Sequence, residues 1–476
     1  MITPGVLRHP YVAKRARSAD TTAEGGGVPR AILMALFGGV AALEALTQDP
    51  LLDFGTYLFR GIGSWSGLPV IVSPLELLLS LGVIAALVSA AIRGGARATA
   101  ALGVPVVLLC LGLLLGLTRG ILAGGDMYVG FWEIRYLLYI PACYVIARLS
   151  LRRAEHVTAL LRVGLLGATL FAIEGGYRRL VLIKAGALGT QVDFFFEHDD
   201  VVFLATFLTA AIATFVFHTR GRARAMAVAI APVLAFTLLA SNRRAGVIVL
   251  LIDLLIVGLV LLVANRKAFF LSMPPVAVAA ALYLALFWNA SGVVGQPARA
   301  VRSLYEPDAR DAASNLYRAI ENYDISETLR ADPIFGVGFG REFRMVATLP
   351  DLSWWPFWRY ETHNNVLWIW MKTGAAGYLF FWLLLGTAMA RAASGTRRLR
   401  DPALRTAALV CLAGLVGAVV FGYVDLAFVS GRTTILVGTL LGIIAVVERL
   451  DRPASPPANA SAVVPLSVTW RPERSR

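Results

Sequence analysis

The sequence predicts an all-α integral membrane protein with about twelve transmembrane helices and both termini in the cytoplasm. The chain is 58% hydrophobic and 16% charged, and its mean hydropathy of +0.70 is far above that of soluble globular proteins. Apolar runs long enough to cross a bilayer recur along the chain, and Lys and Arg gather in alternate connections between them. Together these patterns exclude a soluble protein.

Each predicted transmembrane helix corresponds to one apolar run, and the runs cover 31–47, 73–92, 99–118, 131–148, 156–173, 201–218, 226–241, 245–264, 268–288, 363–390, 403–423 and 430–448. The first nine runs lie within 31–288 and the last three within 363–448, on either side of a loop domain at 289–362. Residues 1–30 are basic and aperiodic, and residues 449–476 are rich in Pro and Ala. Both are expected to be disordered tails.

The arginines and lysines of the short connections orient these helices in the membrane. They lie in every other connection, as Arg93 and Arg97; Arg148, Arg152 and Arg153; Arg220, Arg222 and Arg224; Arg266 and Lys267; and Arg391, Arg397, Arg398 and Arg400. These connections are therefore predicted to be cytoplasmic. The loop at 289–362 then faces outside, and its mixed acids and bases predict a partly helical domain.

The formal net charge of +14 does not indicate nucleic-acid binding, because the basic residues are dispersed among short loops. Cysteine is rare as well, and each cysteine lies in an apolar run where a small buried thiol is the simplest interpretation: Cys110, Cys143 and Cys411. The sequence therefore indicates neither a disulfide framework nor a thiolate metal site.

The start of the tenth predicted helix carries the most informative stretch, residues 361–377. At about 100° per residue, His363 shares one helical face with positions 367, 370, 374 and 377. Gly374 and Gly377 on this face would let a neighbouring helix pack against the backbone. His363 and Asn364 are polar and should lie at the membrane interface, where they cap the helix and face protein or water.

Three motifs resemble the O-antigen ligase and polymerase superfamily. His363-Asn364, followed after nine residues by Gly374-x-x-Gly377, resembles its late-helix signature. Arg318, followed by the run from Pro333 to Gly340, is similar to the "arginine, then Pro-x-x-Gly-x-Gly" pattern of the family's outer loop. A third likeness is the arginine pair within residues 241–245. The resemblance covers residues 240–390 and the layout of the helices, whereas the first 200 residues match only as hydrophobic segments.

This resemblance implies a metal-independent, inverting glycosyltransferase of the membrane-embedded GT-C class that needs no cofactor. Its place would be the bacterial inner membrane, with the active site facing the periplasm. The donor would be a glycan on a polyprenyl (undecaprenyl) diphosphate, and the acceptor a glycolipid or glycan such as lipid A core. His363 would be the general base, and Arg243, Arg244 and Arg318 would bind the diphosphate.

Several other residues have open interpretations. Glu361 could orient His363 or simply be solvated, and Asp425 and Arg432 could line the site or make structural contacts. The glycines at 336, 338 and 340 lack the strand, the Lys-Ser/Thr and the acid of a nucleotide loop, so they predict a turn with close backbone approach.

Two acidic features suggest alternatives to this site. The run from Glu197 through His198 to Asp200 could bind a metal, but capping of the next helix by its acids is favoured, and no Asp-x-Asp occurs in the chain. Asp253, at mid-helix, needs a buried partner that the sequence does not identify. A structural polar contact is favoured over a role in transport.

Three functions are consistent with the sequence: a ligase, a polymerase of the same superfamily, or a transporter. Polymerases usually have two substantial outer loops with Arg-x10-Gly patterns, of which Arg178 to Gly189 is one match. The single dominant outer loop favours the ligase. A transporter would use Asp253 as its coupling residue, but inverted repeats are not evident.

Overall fold

The computed structural model describes residues 27–42, 72–92, 102–183, 198–217, 221–241 and 243–451, and the secondary-structure elements assigned within these ranges are helical. The α-helices are α1 Gly27–Ala42, α2 Pro74–Ile92, α3 Gly103–Leu122, α4 Met127–Ser150, α5 Ala154–Tyr177, α6 Asp200–Phe217, α7 Arg222–Ala240, α8 Arg244–Ala264, α9 Arg266–Phe287, α10 Gly292–Arg302, α11 Ala309–Ala331, α12 Asn365–Arg398, α13 Pro402–Val424 and α14 Gly431–Leu450. A π-helical turn, Arg178–Ile183, continues α5.

The all-α membrane fold predicted from composition is confirmed. Within the described ranges, eleven helices are long and apolar enough to cross a membrane, namely α2 to α9 and α12 to α14, and α1 is a shorter apolar helix. Each of the twelve predicted runs overlaps one of these helices. The tail predicted at 1–30 includes the first turn of α1, and the tail predicted at 449–476 begins with the last two residues of α14. Beyond residue 451, and before residue 27, both predicted tails lie outside the described residues.

The centre of the bundle is formed by α6, α13 and α14, which are the most buried of the candidate spans. These helices are apolar on nearly every face, as expected for helices surrounded by other helices. At the periphery, none of the residues of α9 is buried. The loop between α9 and α12 contains the two helices α10 and α11, and it therefore contributes its own secondary structure at the end of the bundle where α12 begins.

Helix α12 is broken at Gly374, whose φ of 67° and ψ of −177° are not helical. The single helical face predicted from position 363 to position 377 is therefore wrong beyond this break. Gly374 instead packs closely against the backbone carbonyl groups of Ile334 and Phe335, which lie in the loop after α11. Gly377 does pack against a helix, because a Cβ placed on Gly112 of α3 would lie 2.7 Å from its Cα.

The glycine-rich run after α11 enters the bundle through its backbone. Gly336, Gly338 and Gly340 have backbone φ values of 66°, 88° and 77°, which residues with a Cβ rarely adopt. The amide of Phe339 donates to the carbonyl of Gly116 in α3 at 3.2 Å, and the carbonyl of Gly340 accepts from the amide of Asp126 at 2.8 Å. The predicted turn with close backbone approach is confirmed, and it fixes the C-terminal end of α11 against the bundle.

A buried ion pair fastens the same run. Lys372 Nζ of α12 lies 2.7 Å from Glu133 Oε1 of α4, and both side chains are fully buried. Lys372 also donates to the carbonyl of Arg341, and Glu133 Oε2 accepts from the amide of Gly340, each at 2.5 Å. Because both charges are paired and hydrogen-bonded, they can remain buried and join α4, α12 and the loop.

The partner of Asp253, which the sequence did not identify, is Thr209. The Thr209 hydroxyl on α6 donates to Asp253 Oδ2 on α8 at 3.0 Å, and both side chains are buried. This contact supports the structural interpretation of Asp253, since a hydrogen bond between neighbouring helices lowers the cost of a polar group in the membrane.

We expect Gly120→Ala to destabilise the protein by about 1–3 kcal/mol, the usual cost of forcing extra atoms into a packed interior. A Cβ at Gly120 would overlap the backbone of Phe339, which cannot rotate away as a side chain can. Gly386→Ala is the matched control, because nothing lies within 4 Å of its Cβ position. Thermal unfolding in detergent should show a lower Tm for Gly120→Ala alone; equal Tm values would contradict the packing described here.

Candidate active site

A cavity of about 480 Å³ opens at the end of the bundle where α8 and α12 begin. Residues of α8, α10, α11 and α13 and of the connections beside them line it, and its polar lining consists of His198, Arg243, Arg244, Arg299, Arg310, Asp311, Ser314, Asn315, Arg318, His363 and Asp425. The predicted base and all three predicted diphosphate ligands therefore line one pocket, together with Asp425.

His363 is held by a carboxylate from α11. Its amide donates to Glu321 Oε2 at 2.9 Å, and its Nδ1 lies 3.2 Å from each oxygen of the buried Glu321 carboxylate. An ionised carboxylate only accepts hydrogen bonds, so Nδ1 carries the proton and Nε2 retains the basic lone pair. The ring of Tyr317 packs edge-on against the imidazole at 5.5 Å. These contacts fix both the orientation and the tautomer of His363.

Asn364 caps α12, as the sequence predicted. Its side-chain oxygen accepts from the amide of Leu367 at 3.1 Å, and its side-chain nitrogen donates to Asn322 of α11 at the same distance. Asn365 extends the link, since its side-chain oxygen accepts from the amide of Phe428 at 2.6 Å. The start of α12 is thereby tied both to α11 and to the connection between α13 and α14.

The carboxylate of Asp425, at the end of α13, is surrounded by cationic and imidazole groups. Arg318 Nη2 lies 3.1 Å from Asp425 Oδ2, and His198 Nδ1 lies 3.0 Å from Asp425 Oδ1. Burial alone would raise the pKa of Asp425, but His198, Arg318 and His363 hold this pKa well below its ordinary value. The pocket is therefore lined by a carboxylate that stays ionised at neutral pH.

Arg243 and Arg244 diverge where α8 begins. Arg243 Nη1 lies 3.4 Å from His198 Nε2, on the side of Asp425. Arg244 contacts the other side of the pocket, with Nε 3.4 Å from Asp311 Oδ1 and Nη2 donating to Asn315 at 3.2 Å. The two arginines therefore reach different parts of the same cavity.

Like charges are crowded around Arg243. Burial lowers its pKa to about 10; Asp425 and Asp200 oppose this shift, while Arg310 and Arg318 add to it by repulsion. Arg243 remains a cation at neutral pH. An anion entering the pocket would relieve the repulsion between these guanidinium groups and replace part of their lost hydration.

Two of the further candidates do not line the cavity. Arg432 forms a buried ion pair with Asp200, the first residue of α6. The interpretation of Glu361 as the residue that orients His363 is wrong, because Glu321 occupies that position. Glu361 is buried beside the pair of Glu133 and Lys372, and its pKa is raised to about 8 by burial and then by the charge of Glu133.

The three described residues of the acidic run 197–200 have separate partners. His198 contacts Asp425, Asp199 accepts from the hydroxyls of Ser430 and Thr433, and Asp200 pairs with Arg432. Their side chains thus join the start of α6 to the connection between α13 and α14 and to the first turn of α14, rather than converging on one point. Glu197 lies outside the described residues.

Sequence reasoning missed several residues that the pocket contains or depends on. Glu321 is spaced three residues from Arg318, so the two lie on one face of a helix, which was a usable signal. For His198, the sequence suggests only the role of a metal ligand. No sequence pattern marks Arg299 and Arg310 as pocket residues, because nothing in the sequence indicates that α10 folds back over the start of α8.

The fold and the pocket define a multi-pass membrane protein with a basic cavity at one end of its helices. Residues 205–382 match the family described as O-Antigen ligase. This match confirms the resemblance seen in the motifs and supports the O-antigen ligase superfamily, a family of glycosyltransferase-like enzymes that includes ligases and polymerases. None of the curated proteins matches the chain.

The matched part of the chain contains most of the candidate site. It includes Arg243, Arg244, Arg318, Glu321 and His363, on or beside helices α8, α11 and α12. The two residues that complete the charge cluster, His198 and Asp425, lie outside its limits, before and after it.

The buried Glu361 should make stability depend on pH. The folded protein holds its proton up to a pH of about 8, whereas the unfolded chain releases it near the ordinary value of 4.5. The contribution of Glu361 to the free energy of unfolding is therefore most favourable below pH 4.5, and it declines as the pH rises from 4.5 to about 8. We expect Glu361→Gln, which mimics the protonated form, to weaken this decline between pH 5 and 8.5 (roughly the titration range). Tm measured across this range should fall less for the variant, and parallel curves would contradict the assignment.

Proposed function

We propose that this protein is an O-antigen ligase-type glycosyltransferase of the bacterial inner membrane, with its active site facing the periplasm. It would transfer a glycan from a polyprenyl diphosphate to a hydroxyl group of an acceptor such as lipid A core. The observation that carries the proposal is the carboxylate-paired His363 in one pocket with Arg243, Arg244 and Arg318. A base and an anion-binding group are the two elements that this transfer needs.

His363 acts as the general base in this mechanism. Its Nε2 removes the proton of the acceptor hydroxyl as the oxygen attacks the anomeric carbon. Glu321 holds the proton on Nδ1 and stabilises the imidazolium that forms, as the carboxylate does in catalytic triads. The new carbon–oxygen bond forms on the face opposite the diphosphate, so the anomeric configuration is inverted.

The arginines act on the leaving group. When the bond between the anomeric carbon and the phosphate oxygen breaks, its electron pair remains on the diphosphate, which gains negative charge. Guanidinium groups bind phosphate oxygens through two parallel hydrogen bonds, and such bonds strengthen as this charge grows. Arg318 Nε is buried and makes no hydrogen bond within the described part of the chain, so a phosphate oxygen would supply its acceptor. The scheme requires no divalent cation.

Two contacts favour this proposal over its alternatives. Arg178, which began the polymerase-like Arg-x10-Gly pattern, is fully buried and pairs with Glu174 at 2.7 Å, so it is not placed to bind a substrate. Asp253, the coupling residue of the transporter alternative, is hydrogen-bonded to Thr209 inside the bundle. A polymerase that uses the same pocket stays the alternative within the superfamily.

The test is transfer in vitro by the full-length protein in nanodiscs, with a defined polyprenyl-diphosphate glycan, candidate acceptors and a chelator in the buffer. His363→Ala should lower the single-turnover rate by roughly 10² to 10⁴ and leave donor affinity nearly unchanged, because the base acts only on the acceptor. Glu321→Gln should also lower the rate without weakening donor binding. Arg318→Ala should weaken donor binding as well as the rate, and Arg318→Lys should restore only part of both.

Arg330→Ala is the matched control for these variants, since Arg330 lies on the same helix α11, is largely exposed and pairs with Glu327 outside the pocket. It should bind donor and react like the wild type. Loss of donor binding in His363→Ala, combined with normal binding and reaction in Arg318→Ala, would contradict the assigned roles. Activity that requires added magnesium or manganese would contradict the metal-independent scheme.

The proposed orientation in the membrane can be tested with single cysteines in a chain whose three native cysteines are replaced by alanine. Ala313→Cys on α11 should react with an impermeant thiol reagent in intact spheroplasts, and Arg397→Cys at the far end of α12 should not, since both positions are exposed but lie at opposite ends of the bundle. After the membrane is permeabilised, both should react. Labelling of Arg397→Cys alone in intact spheroplasts would reverse the orientation.

A further inference from the structure

His198 is a second histidine in the candidate pocket, and it takes no part in the proton transfer assigned to His363. It lies two residues before the start of α6, and its two ring nitrogens face different charged groups. Nδ1 lies 3.0 Å from Asp425 Oδ1 and 3.1 Å from Asp425 Oδ2, and Nε2 lies 3.4 Å from Arg243 Nη1. The imidazole therefore bridges a carboxylate at the end of α13 and a guanidinium at the start of α8.

The two neighbours of His198 define the protonation state in which both contacts are hydrogen bonds. A guanidinium can only donate, so Nε2 must accept from Arg243. An ionised carboxylate can only accept, so Nδ1 must carry the proton and donate it to Asp425. In the opposite tautomer, the N–H of Nε2 would face the N–H of Arg243, and the lone pair of Nδ1 would face the carboxylate. The bridge thus requires the neutral, Nδ1-protonated imidazole.

Through this bridge Asp425 acts on two of the arginines assigned to the diphosphate. It contacts Arg318 Nη2 directly at 3.1 Å, and it is linked to Arg243 by the imidazole of His198. The negative charge of Asp425 also favours the charged form of Arg243, which burial and the charge of Arg318 disfavour. One carboxylate therefore orients both guanidinium groups.

The backbone beside His198 is fixed without the help of its imidazole. Asp199 accepts from the hydroxyl of Ser430. Asp200 forms a buried ion pair with Arg432. The His198 side chain keeps 41% of its surface exposed within the described part of the chain, so it contributes little to the core. Replacing the imidazole should therefore change the contacts in the pocket and leave the fold intact.

A guanidinium that is fixed before the substrate arrives suits the role assigned to Arg243. The hydrogen bond from its Nη1 to His198 restricts the plane of the group. Because a guanidinium has five N–H groups, this bond still leaves donors for a phosphate oxygen. A long side chain that is already ordered loses less conformational freedom on binding. It also needs little rearrangement as charge grows on the leaving group.

We propose that His198 is a positioning residue, whose Nδ1-protonated imidazole links Asp425 to Arg243 and holds the Arg243 guanidinium in place for the donor diphosphate. This inference rests on the proposed function and deepens it, since it explains how one of the assigned diphosphate ligands is oriented. His198 itself touches neither donor nor acceptor. Its role is therefore separable by experiment from that of a direct ligand.

The test uses amide side chains that imitate one ring nitrogen at a time. In His198→Gln, the side-chain oxygen can lie where Nε2 lies and accept from Arg243. In His198→Asn, the shorter side chain can donate to Asp425 from the position of Nδ1 but does not extend to Arg243. His198→Phe keeps the shape of a ring and makes neither hydrogen bond.

Donor binding is measured at equilibrium, without acceptor, on the full-length protein in nanodiscs with a defined polyprenyl-diphosphate glycan. His198→Gln should bind this donor within about twofold of the wild type, because Arg243 keeps its acceptor. His198→Asn and His198→Phe should bind it roughly three- to tenfold more weakly, because the Arg243 side chain is then ordered only on binding. Tm values measured beside binding show that each variant is folded.

A double-mutant cycle separates positioning from direct contact. In an Arg243→Ala background, His198→Asn should weaken donor binding no further, because the group that His198 positions is absent. His156→Asn is the matched control, since His156 on the first turn of α5 also contacts an arginine, Arg30, but lies outside the pocket. It should bind donor like the wild type.

The outcomes separate this inference from the function beneath it. Wild-type binding in His198→Asn and His198→Phe, or an equal loss in all three variants, would refute the positioning role even if transfer occurs. Additive losses in the cycle would assign His198 a direct contact with the donor and overturn its action through Arg243. Failure of the wild type to bind donor would refute both proposals. The expected binding pattern without transfer to any acceptor would refute only the ligase function.

Discussion

The rest of the site depends on the contacts of the buried Asp425 carboxylate with the basic groups around it. It contacts Arg318 of α11 and His198 before α6 directly, and its charge also acts on Arg243 and His363. Without it, Arg243 and Arg318 would repel each other in a poorly hydrated cavity with no carboxylate between them. Asp425 therefore allows the basic groups to remain in the pocket before a substrate arrives. A bound anion would then compete with it for the same guanidinium groups.

The second requirement is the position of α11, which carries both Arg318 and Glu321. This helix is not itself a membrane span, so the lipid does not fix its depth. Its C-terminal end is fixed by the glycine-rich run that enters between α3 and α12, and by the buried pair of Lys372 and Glu133. Its middle is joined to the start of α12 by Glu321 and by Asn322, which accepts from Asn364. Groups held in this way need little rearrangement when charge develops on a substrate.

The arrangement brings two kinds of group together in one pocket. Glu321 and His363 form a pair that can accept one proton, whereas Arg243 and Arg318 keep their charge throughout. The separation of a titrating pair from permanent cations is what a transfer with a diphosphate leaving group requires. Arg244 lies between this centre and the basic residues of α10 and α11, and it shares Asp311 with Arg299. The pocket is thus continuous from His363, the proposed general base, to its outer rim.

The sequence by itself determined the membrane fold, and it singled out a histidine and three arginines that the structure brings to one cavity. Hydropathy, charge alternation and short motifs are local properties, and a helix satisfies its own backbone hydrogen bonds wherever its neighbours lie.

Only the tertiary structure decided which charges meet. Glu321 is 42 residues from His363, and Asp425 is 227 residues from His198, so no spacing in the sequence could pair them. Glu361 was the nearer acid to His363, yet it lies beside Glu133 and Lys372, because the chain turns at the start of α12. Gly374 likewise looked like one more position on a helical face, and only the loop packed against it explains the break. Burial makes an unpaired charge costly, and the partner that removes this cost is chosen by the packing of distant helices.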